Sequence, residues 1–339
     1  MIKYRQYRSG DEKLIIILYK KVFGKKLTIQ NWQWKYNTYA DAGKFIFLAF
    51  DKSRCIGQYA LIPYRLSSYD DTIQALLSLD SMVDPDYQGR RIFTELMHYA
   101  RKELLNLKDP SITFINENTI NIYTKIFNWK YIGNIPVYCR PLSLSQLRNR
   151  SKILYSLLKP FSLIINYISS QKKYISLDPI KIFDLEIERK CINHNKLYSM
   201  GRTKEFLNWR YIQSPEDYQC FKIMYKGSLI GYCVIRVEEK FGIKFAWIMD
   251  IFIENEFVNF FHNVLNAISI KYFLESDFIT SLLPNNYYKK YYSKSVFLKI
   301  PQALFPHKFY FCTAINHSSQ KDICKLEHWY MTWSLNDVI

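Results

Sequence analysis

The chain has 339 residues, 49% of them hydrophobic, with 47 Lys and Arg against 30 Asp and Glu and a net charge of +17. That length accommodates two domains with full cores, and the charge suits an anionic cofactor, a nucleotide-linked sugar or anionic lipid. No DNA- or RNA-binding signature accompanies the charge, so neither nucleic acid is expected as a partner. Cysteines at 55, 139, 191, 220, 233, 312 and 324 form no C-x-x-C pair and have no histidine at ligand spacing. This argues against a metal site and for reduced thiols in a cytosol. The opening MIKYRQYRSGDEK has no signal-peptide pattern, and no uncharged apolar run reaches the roughly 18 residues of a transmembrane helix, so a cytoplasmic location is expected.

In chain order the pattern predicts a strand at 2–7, helices at 11–23 and 28–36, and strands at 45–50, 55–66 and 72–83. A helix at 91–107, a strand at 112–115, a helix at 119–127 and a strand at 130–138 follow. Alternating strands and helices indicate an α/β layered domain. The apolar run 73–83 reads as a buried strand, broken by Asp84-Pro85-Asp86. Gln88-Gly89-Arg90-Arg91 follows, and then Ile92, Phe93, Leu96, Met97 and Ala100 recur at helical spacing. A strand, a basic turn and a helix N-terminus make an anion site, because free N–H groups and the helix dipole both favour negative charge. These residues read as a phosphate or pyrophosphate cradle. The alternative is an ordinary connection with a solvated arginine pair.

The segment VDPDYQGRRIFTEL resembles the acyl-CoA-binding motif of the GNAT superfamily of N-acetyltransferases, a strand followed by Q/R-x-x-G-x-G/A. Gln88 fills the first position and Gly89 matches a frequent glycine. Arg91 and Phe93, on either side of Ile92, replace the two signature glycines. The element order βααβββαβαβ is also that of the GNAT fold. The resemblance implies acetyl-CoA as co-substrate and no metal, with contacts from Met82, Val83, Gln88, Gly89, Arg90, Arg91, Ile92 and Phe93.

Acetyl transfer needs backbone N–H groups to polarise the thioester carbonyl, in the family those of the strand before the cradle, here Met82 and Val83. It also needs a base for the incoming ammonium. Asp80 is best placed, alternating with Met82 on one face, with Asp84 and Asp86 next; the alternative is a structural carboxylate. The segment 116–129 resembles the family's N-x-x-A-x-x-x-Y-x-K-x-G-F. Tyr123 falls on the position of the acid that protonates the leaving thiolate, Asn118 on a pantetheine contact, and Asn128 on a glycine.

Residues 141–176 interrupt the pattern with an apolar, basic helical stretch, expected to break at Pro160. It reads either as a connector packed across two domains or, over 151–170, as a peripheral membrane contact. The chain also repeats itself. Asn31-Trp32 resembles Asn208-Trp209, Ile56-Gly57 resembles Ile230-Gly231, and Leu79-Asp80-Ser81-Met82-Val83 resembles Met249-Asp250-Ile251-Phe252-Ile253. The organisation expected is therefore α/β with two tandem GNAT-like units: 1–140 binding acyl-CoA, a connector at 141–176, and 177–339 lacking the cradle. In the second unit Glu254 and Glu256 replace the basic turn. Trp32, Trp34 and Trp209 read as core residues or as platforms for a sugar or adenine.

The tail 328–339, both Asn-Trp motifs and Tyr138-Cys139-Arg140-Pro141-Leu142 resemble tandem proteins of bacterial surface-polysaccharide clusters. The resemblance implies an amine acceptor, of which a nucleotide-linked amino sugar is one form. Two alternatives stand beside it: a Fem-type transferase using aminoacyl-tRNA, and a non-catalytic scaffold.

Overall fold

The computed structural model describes all residues except 39–41, 68–71, 171–173, 192–196, 284–286, 302–309, 316–321 and 336–339. The end of the tail motif, 336–339, thus lies outside the described residues. The first half forms β1 (Ile2–Gln6), α1 (Glu12–Phe23), α2 (Ile29–Gln33), β2 (Ile46–Asp51), β3 (Arg54–Ser67), β4 (Thr72–Val83), α3 (Ile92–Glu103), β5 (Ser111–Ile115) and β6 (Lys130–Asn134). Then come β7 (Val137–Pro141), α4 (Ser145–Arg150), α5 (Lys152–Ser170), β8 (Ile175–Pro179), α6 (Leu185–Cys191), β9 (Ser199–Met200) and α7 (Lys204–Leu207). The rest is β10 (Gln219–Tyr225), β11 (Ser228–Lys240), β12 (Ile243–Ile253), α8 (Phe261–Lys271), β13 (Phe278–Leu282), α9 (Lys289–Lys294), β14 (Leu298–Lys299) and β15 (Tyr310–Ala314).

These strands make two mixed sheets of matching order. One runs β1-β2-β3-β4-β5-β15-β6, with β9 added beside β3; the other runs β8-β10-β11-β12-β13-β7-β14. Each sheet has one parallel pair, β4 with β5 and β12 with β13. The strand next to the parallel pair is exchanged. β15 pairs antiparallel with β5 and β6 in the first sheet, while β7 pairs with β13 and β14 in the second. The predicted strand 130–138 is therefore two strands in different sheets. Pro136 stands between them, and Leu283 donates to its carbonyl at 3.1 Å. Sequence periodicity cannot show such a crossing, since it does not tell which sheet a strand joins.

Helix–sheet packing follows the burial pattern. Ile92, Leu96, Met97 and Ala100 of α3 pack on one face of the first sheet with Phe47, Tyr59 and Leu76. Phe261, Val264, Leu265 and Ile268 of α8 do the same on the second sheet. The opposite faces of both sheets share one core, in which Trp32, Leu66 and Leu77 join Trp209, Val234 and Trp333.

Two expected helices differ. The segment predicted as a helix over 119–127 is a single π-helical turn, Ile122–Ile126, because Phe127 N–H bonds back to Ile122. Residues 152–170 are one helix through Pro160, without the expected break. The missing bond at Pro160 is tolerated because tertiary bonds anchor that stretch: Lys159 Nζ donates to Ser143 O at 3.1 Å and Ser162 Oγ to Leu142 O. α5 packs against α4 and α8, and Ile153, Leu154, Leu157, Phe161, Leu163, Ile164 and Tyr167 remain exposed on its other side. Among the described residues no helix is long and apolar enough to cross a membrane.

Candidate active site

β4 and β5 pair only from Leu76↔Ser111 to Ser78↔Thr113 and then separate. The gap between them is bordered on one side by residues 79–83. At this point the register of β4 against β3 jumps from Met82↔Gln58 to Leu79↔Ala60. The cause is a bulge at Asp80, whose φ of 46° is left-handed, a conformation that aspartate accepts better than most residues. With the extra residue, Ser78 and Ser81 both face Tyr123, while Leu79, Asp80 and Met82 turn to the shared core. Asp84 N–H donates to Ile56 O at 2.9 Å, across to β3. Strand alternation then turns the Val83 N–H, not that of Met82, toward the gap.

The cradle residues stand at the end of this gap. Asp84 and Asp86 are both bound to Lys21 and Arg54, with Lys21 Nζ 2.7 and 2.5 Å from them. Hydrogen bonds from these cations hold both carboxyls below the usual range, against the burial that raises that of Asp84. Neither is free to serve as a base. Gln88 Nε2 donates to Val83 O at 3.1 Å, which ties the turn to the strand. Gly89 has φ 76° with open space where a Cβ would be.

Arg91 is the N-cap of α3 with φ 60° and no capping side chain. Its left-handed backbone is the physical reason a glycine suits this position. Arginine adopts it at a cost of about 1–2 kcal/mol. The first N–H groups of α3, from Ile92 onward, are therefore uncapped and flanked by two exposed arginines, with Arg90 set over the Tyr87 ring. Phe93 turns inward against Tyr59 and Tyr123, out of the way of the turn.

Tyr123 is 1% exposed. Its hydroxyl shares hydrogen bonds with Ser78 Oγ at 3.1 Å and Ser81 Oγ at 3.5 Å. Burial pushes its pKa up, against the lowering effect of these hydroxyls and of Thr113. Asn128 at the end of the π turn is left-handed, φ 56°, as its place on a family glycine requires. Asn118 is exposed, and its backbone N–H donates to Asn116 Oδ1.

Asp80 is not brought beside Tyr123. It lies on the other face of β4, where Lys35 Nζ stands 2.9 Å from its carboxylate and Tyr36 OH donates to it at 2.7 Å. Burial lowers the Lys35 pKa, although Asp80 opposes this, and raises that of Tyr36.

In front of Lys35 is a pocket lined by Trp34, Lys35, Tyr64, Leu79, Trp209 and Arg210, with Ile62, Leu77 and Ser334 completing the wall. The pocket lies where the two halves meet. Lys35 and Arg210 were not singled out by sequence reasoning. The signal was there in the register of the repeat. The N-caps Thr28 and Thr203 both hold the N–H three residues on, and from that anchor Trp34 matches Trp209 and Lys35 matches Arg210. Aligning Trp32 with Trp209 misses this by two residues. Trp32 is a fully buried core residue instead.

The second sheet has the same gap after Trp247↔Thr280, but it is filled. Tyr330 OH donates to Ile251 O, Ser334 Oγ to Met249 O at 2.7 Å, and Thr332 Oγ1 to Asp250 Oδ1 at 3.2 Å. Asp250 is fully buried against Arg202, 2.9 Å away, and Tyr232. The counterpart of the cradle carries Glu254, bound to Lys190, and a 3-10 turn at Asn255–Phe260. Among the described residues no group of His, Cys, Asp and Glu could hold a metal ion.

Residues 3–132 match the model of the acetyltransferase (GNAT) domain family. No curated protein matches the chain in sequence. Among solved structures, the chain is similar to a GCN5-related N-acetyltransferase of Anabaena variabilis (TM-score 0.63, 12% identity, covering 96% of this chain and 75% of that one). It is also similar to a probable N-acyltransferase of Enterococcus faecalis (0.65, 8%, 93% and 72%). A third likeness is to Saccharomyces cerevisiae N-myristoyltransferase with bound myristoyl-CoA (0.59, 8%, 93% and 82%). Residues 3–132, with the open β4–β5 gap and uncapped α3, thus match an acetyltransferase (GNAT) domain, and strand exchange joins them to a second unit with the same strand order.

Proposed function

We propose that the chain is a cytoplasmic, acyl-CoA-dependent N-acetyltransferase that moves acetyl from acetyl-CoA to an amine, with an amino-sugar intermediate of surface polysaccharide as acceptor. The observation that carries this reading is the left-handed, uncapped Arg91 at the start of α3, beside a gap that only the first unit keeps open. The free N–H groups of Ile92 and Phe93 and the guanidinium groups of Arg90 and Arg91 hold the diphosphate. Asn118 borders the pantetheine arm, and the Val83 N–H polarises the thioester carbonyl.

The cofactor lies along the α3 face, where Tyr123 gives its proton to the departing thiolate. The amine arrives from the opposite face, through the pocket before Lys35. The Asp80–Lys35 pair accepts the proton of the incoming ammonium, and Asp80 balances the ammonium formed on Lys35. The myristoyl-CoA of the yeast neighbour supports an acyl-CoA ligand on this fold. Incubation with acetyl-CoA and a panel of amino sugars, followed by thiol release, tests the reading; release that stays at the hydrolysis background with every amine contradicts it.

A peripheral membrane contact through α5 belongs to the same proposal. Between 141 and 177 stand Arg148, Arg150, Lys152, Lys159, Lys172 and Lys173 and no acidic residue. A helix flanked by basic residues, with an exposed apolar side, suits the surface of an anionic bilayer.

A further inference from the structure

Arg210 is 4% exposed and lines the pocket between the two halves. Its Nη1 donates to Tyr218 OH at 3.1 Å, and its guanidinium lies over the rings of Trp34, Tyr211 and Tyr218. It has no carboxylate partner among the described residues. The carboxylates of this region are taken. Asp80 is bound to Lys35 and Glu216 to Arg236 at 2.7 Å. Asp250, which the repeat would offer to Arg210 as Asp80 is offered to Lys35, is bound by Arg202.

A buried cation without a counter-ion costs several kcal/mol, and arginine cannot shed its proton to escape the cost. Such a group is retained where a ligand supplies the missing charge.

We propose that Arg210 is the receptor for an anionic group, a phosphate or carboxylate, carried by the acceptor, which is therefore an amine bearing an acid rather than a neutral amino sugar. This rests on the acetyltransferase reading and narrows it. The pocket offers such a molecule two kinds of contact: Lys35, which is bound to Asp80, comes to it from one half and Arg210 from the other. Trp34 and Trp209, stacked on each other, line the same pocket. Arginine's planar fork also suits the two oxygens of a phosphate or carboxylate better than lysine would.

The test begins with inorganic phosphate, titrated by calorimetry into a protein carrying Arg90→Ala and Arg91→Ala, so that the cradle takes none. Millimolar or tighter binding is expected, weakened at least tenfold by Arg210→Met; Arg210→Gln serves if the methionine variant does not fold. Phosphate binding that is equal with and without Arg210, or absent with Arg210 in place, overturns the proposal. In the intact protein, glucosamine 6-phosphate should be acetylated with a kcat/KM at least tenfold above that of glucosamine, and Arg210→Met should erase the difference. A preference that survives the substitution also overturns it. If phosphate binding depends on Arg210 but no amine is acetylated, the anion site stands and the acetyltransferase reading fails.

Discussion

Trp34 and Trp209 donate their indole N–H groups to each other's backbone carbonyls, at 2.8 and 2.9 Å, with their rings stacked 5.3 Å apart. One comes from each half, and the reciprocity is what a two-fold relation between repeats produces. The pair fixes the distance between Lys35 and Arg210, which follow it in each half, and so sets the width of the pocket.

Trp34→Phe keeps most of the apolar area and removes the indole N–H that the Trp209 carbonyl accepts. A loss of about 1–2 kcal/mol is expected. Trp34→Ala adds a cavity and should cost about 3–5 kcal/mol. Urea unfolding of both variants checks the order; equal losses would show that the hydrogen bond, not the packing, dominates.

A fragment of residues 1–140 should not fold. It lacks β15, which supplies the bonds between β5 and β6, and its β7 has lost β13 and β14. Those edges would be bare and apolar, a template for aggregation. Circular dichroism melting of the fragment should show no cooperative transition, and adding residues 141–339 as a separate chain should restore one.

Tyr123→Phe should lower kcat by roughly 10²–10⁴-fold with little change in the KM for acetyl-CoA, as expected for a general acid. The sign of the pH dependence follows from burial, which raises the tyrosine pKa. The acid form is present at every pH below that raised value. The alkaline limb governed by Tyr123 should therefore fall above the ordinary tyrosine range, near pH 10. A kcat profile to pH 11 on wild type and variant reads this directly.

The exposed side of α5 should bind vesicles that contain anionic lipid and ignore neutral ones. Each basic residue contributes about 1 kcal/mol at such a surface. Co-sedimentation should fall with added salt, and Leu157→Asp with Ile164→Asp should abolish it while leaving acetyl-CoA binding intact.

Much of the first unit was legible in the chain. Asp84-Pro85-Asp86 marked the end of β4, and the spacing of Ile92, Leu96 and Ala100 marked α3, because both signals are local. Arg91 shows where locality helps even against the motif. The residue is unusual, but its backbone takes the conformation that the position demands. The strand exchange was not legible, since β7 and β15 carry the same apolar character wherever they pair. Strand alternation puts Asp80 on one face with Met82, and the two do share the core side. The bulge at Asp80, which leaves Ser81 rather than Asp80 facing Tyr123, leaves no trace in a hydrophobic pattern. Arg210 was hidden for another reason. It comes into register with Lys35 only when the repeat is aligned on its N-caps, and its burial without a carboxylate partner among the described residues is what singles it out.

The most direct test of the account is acetyl-CoA binding by calorimetry, on wild type and on the variant Gln88→Ala with Arg90→Ala. The cradle predicts one site per chain with micromolar affinity, weakened at least tenfold in the variant, because Gln88 anchors the turn to Val83 and Arg90 stands exposed beside the uncapped start of α3. No binding at millimolar acetyl-CoA, or binding that the variant leaves unchanged, would contradict it.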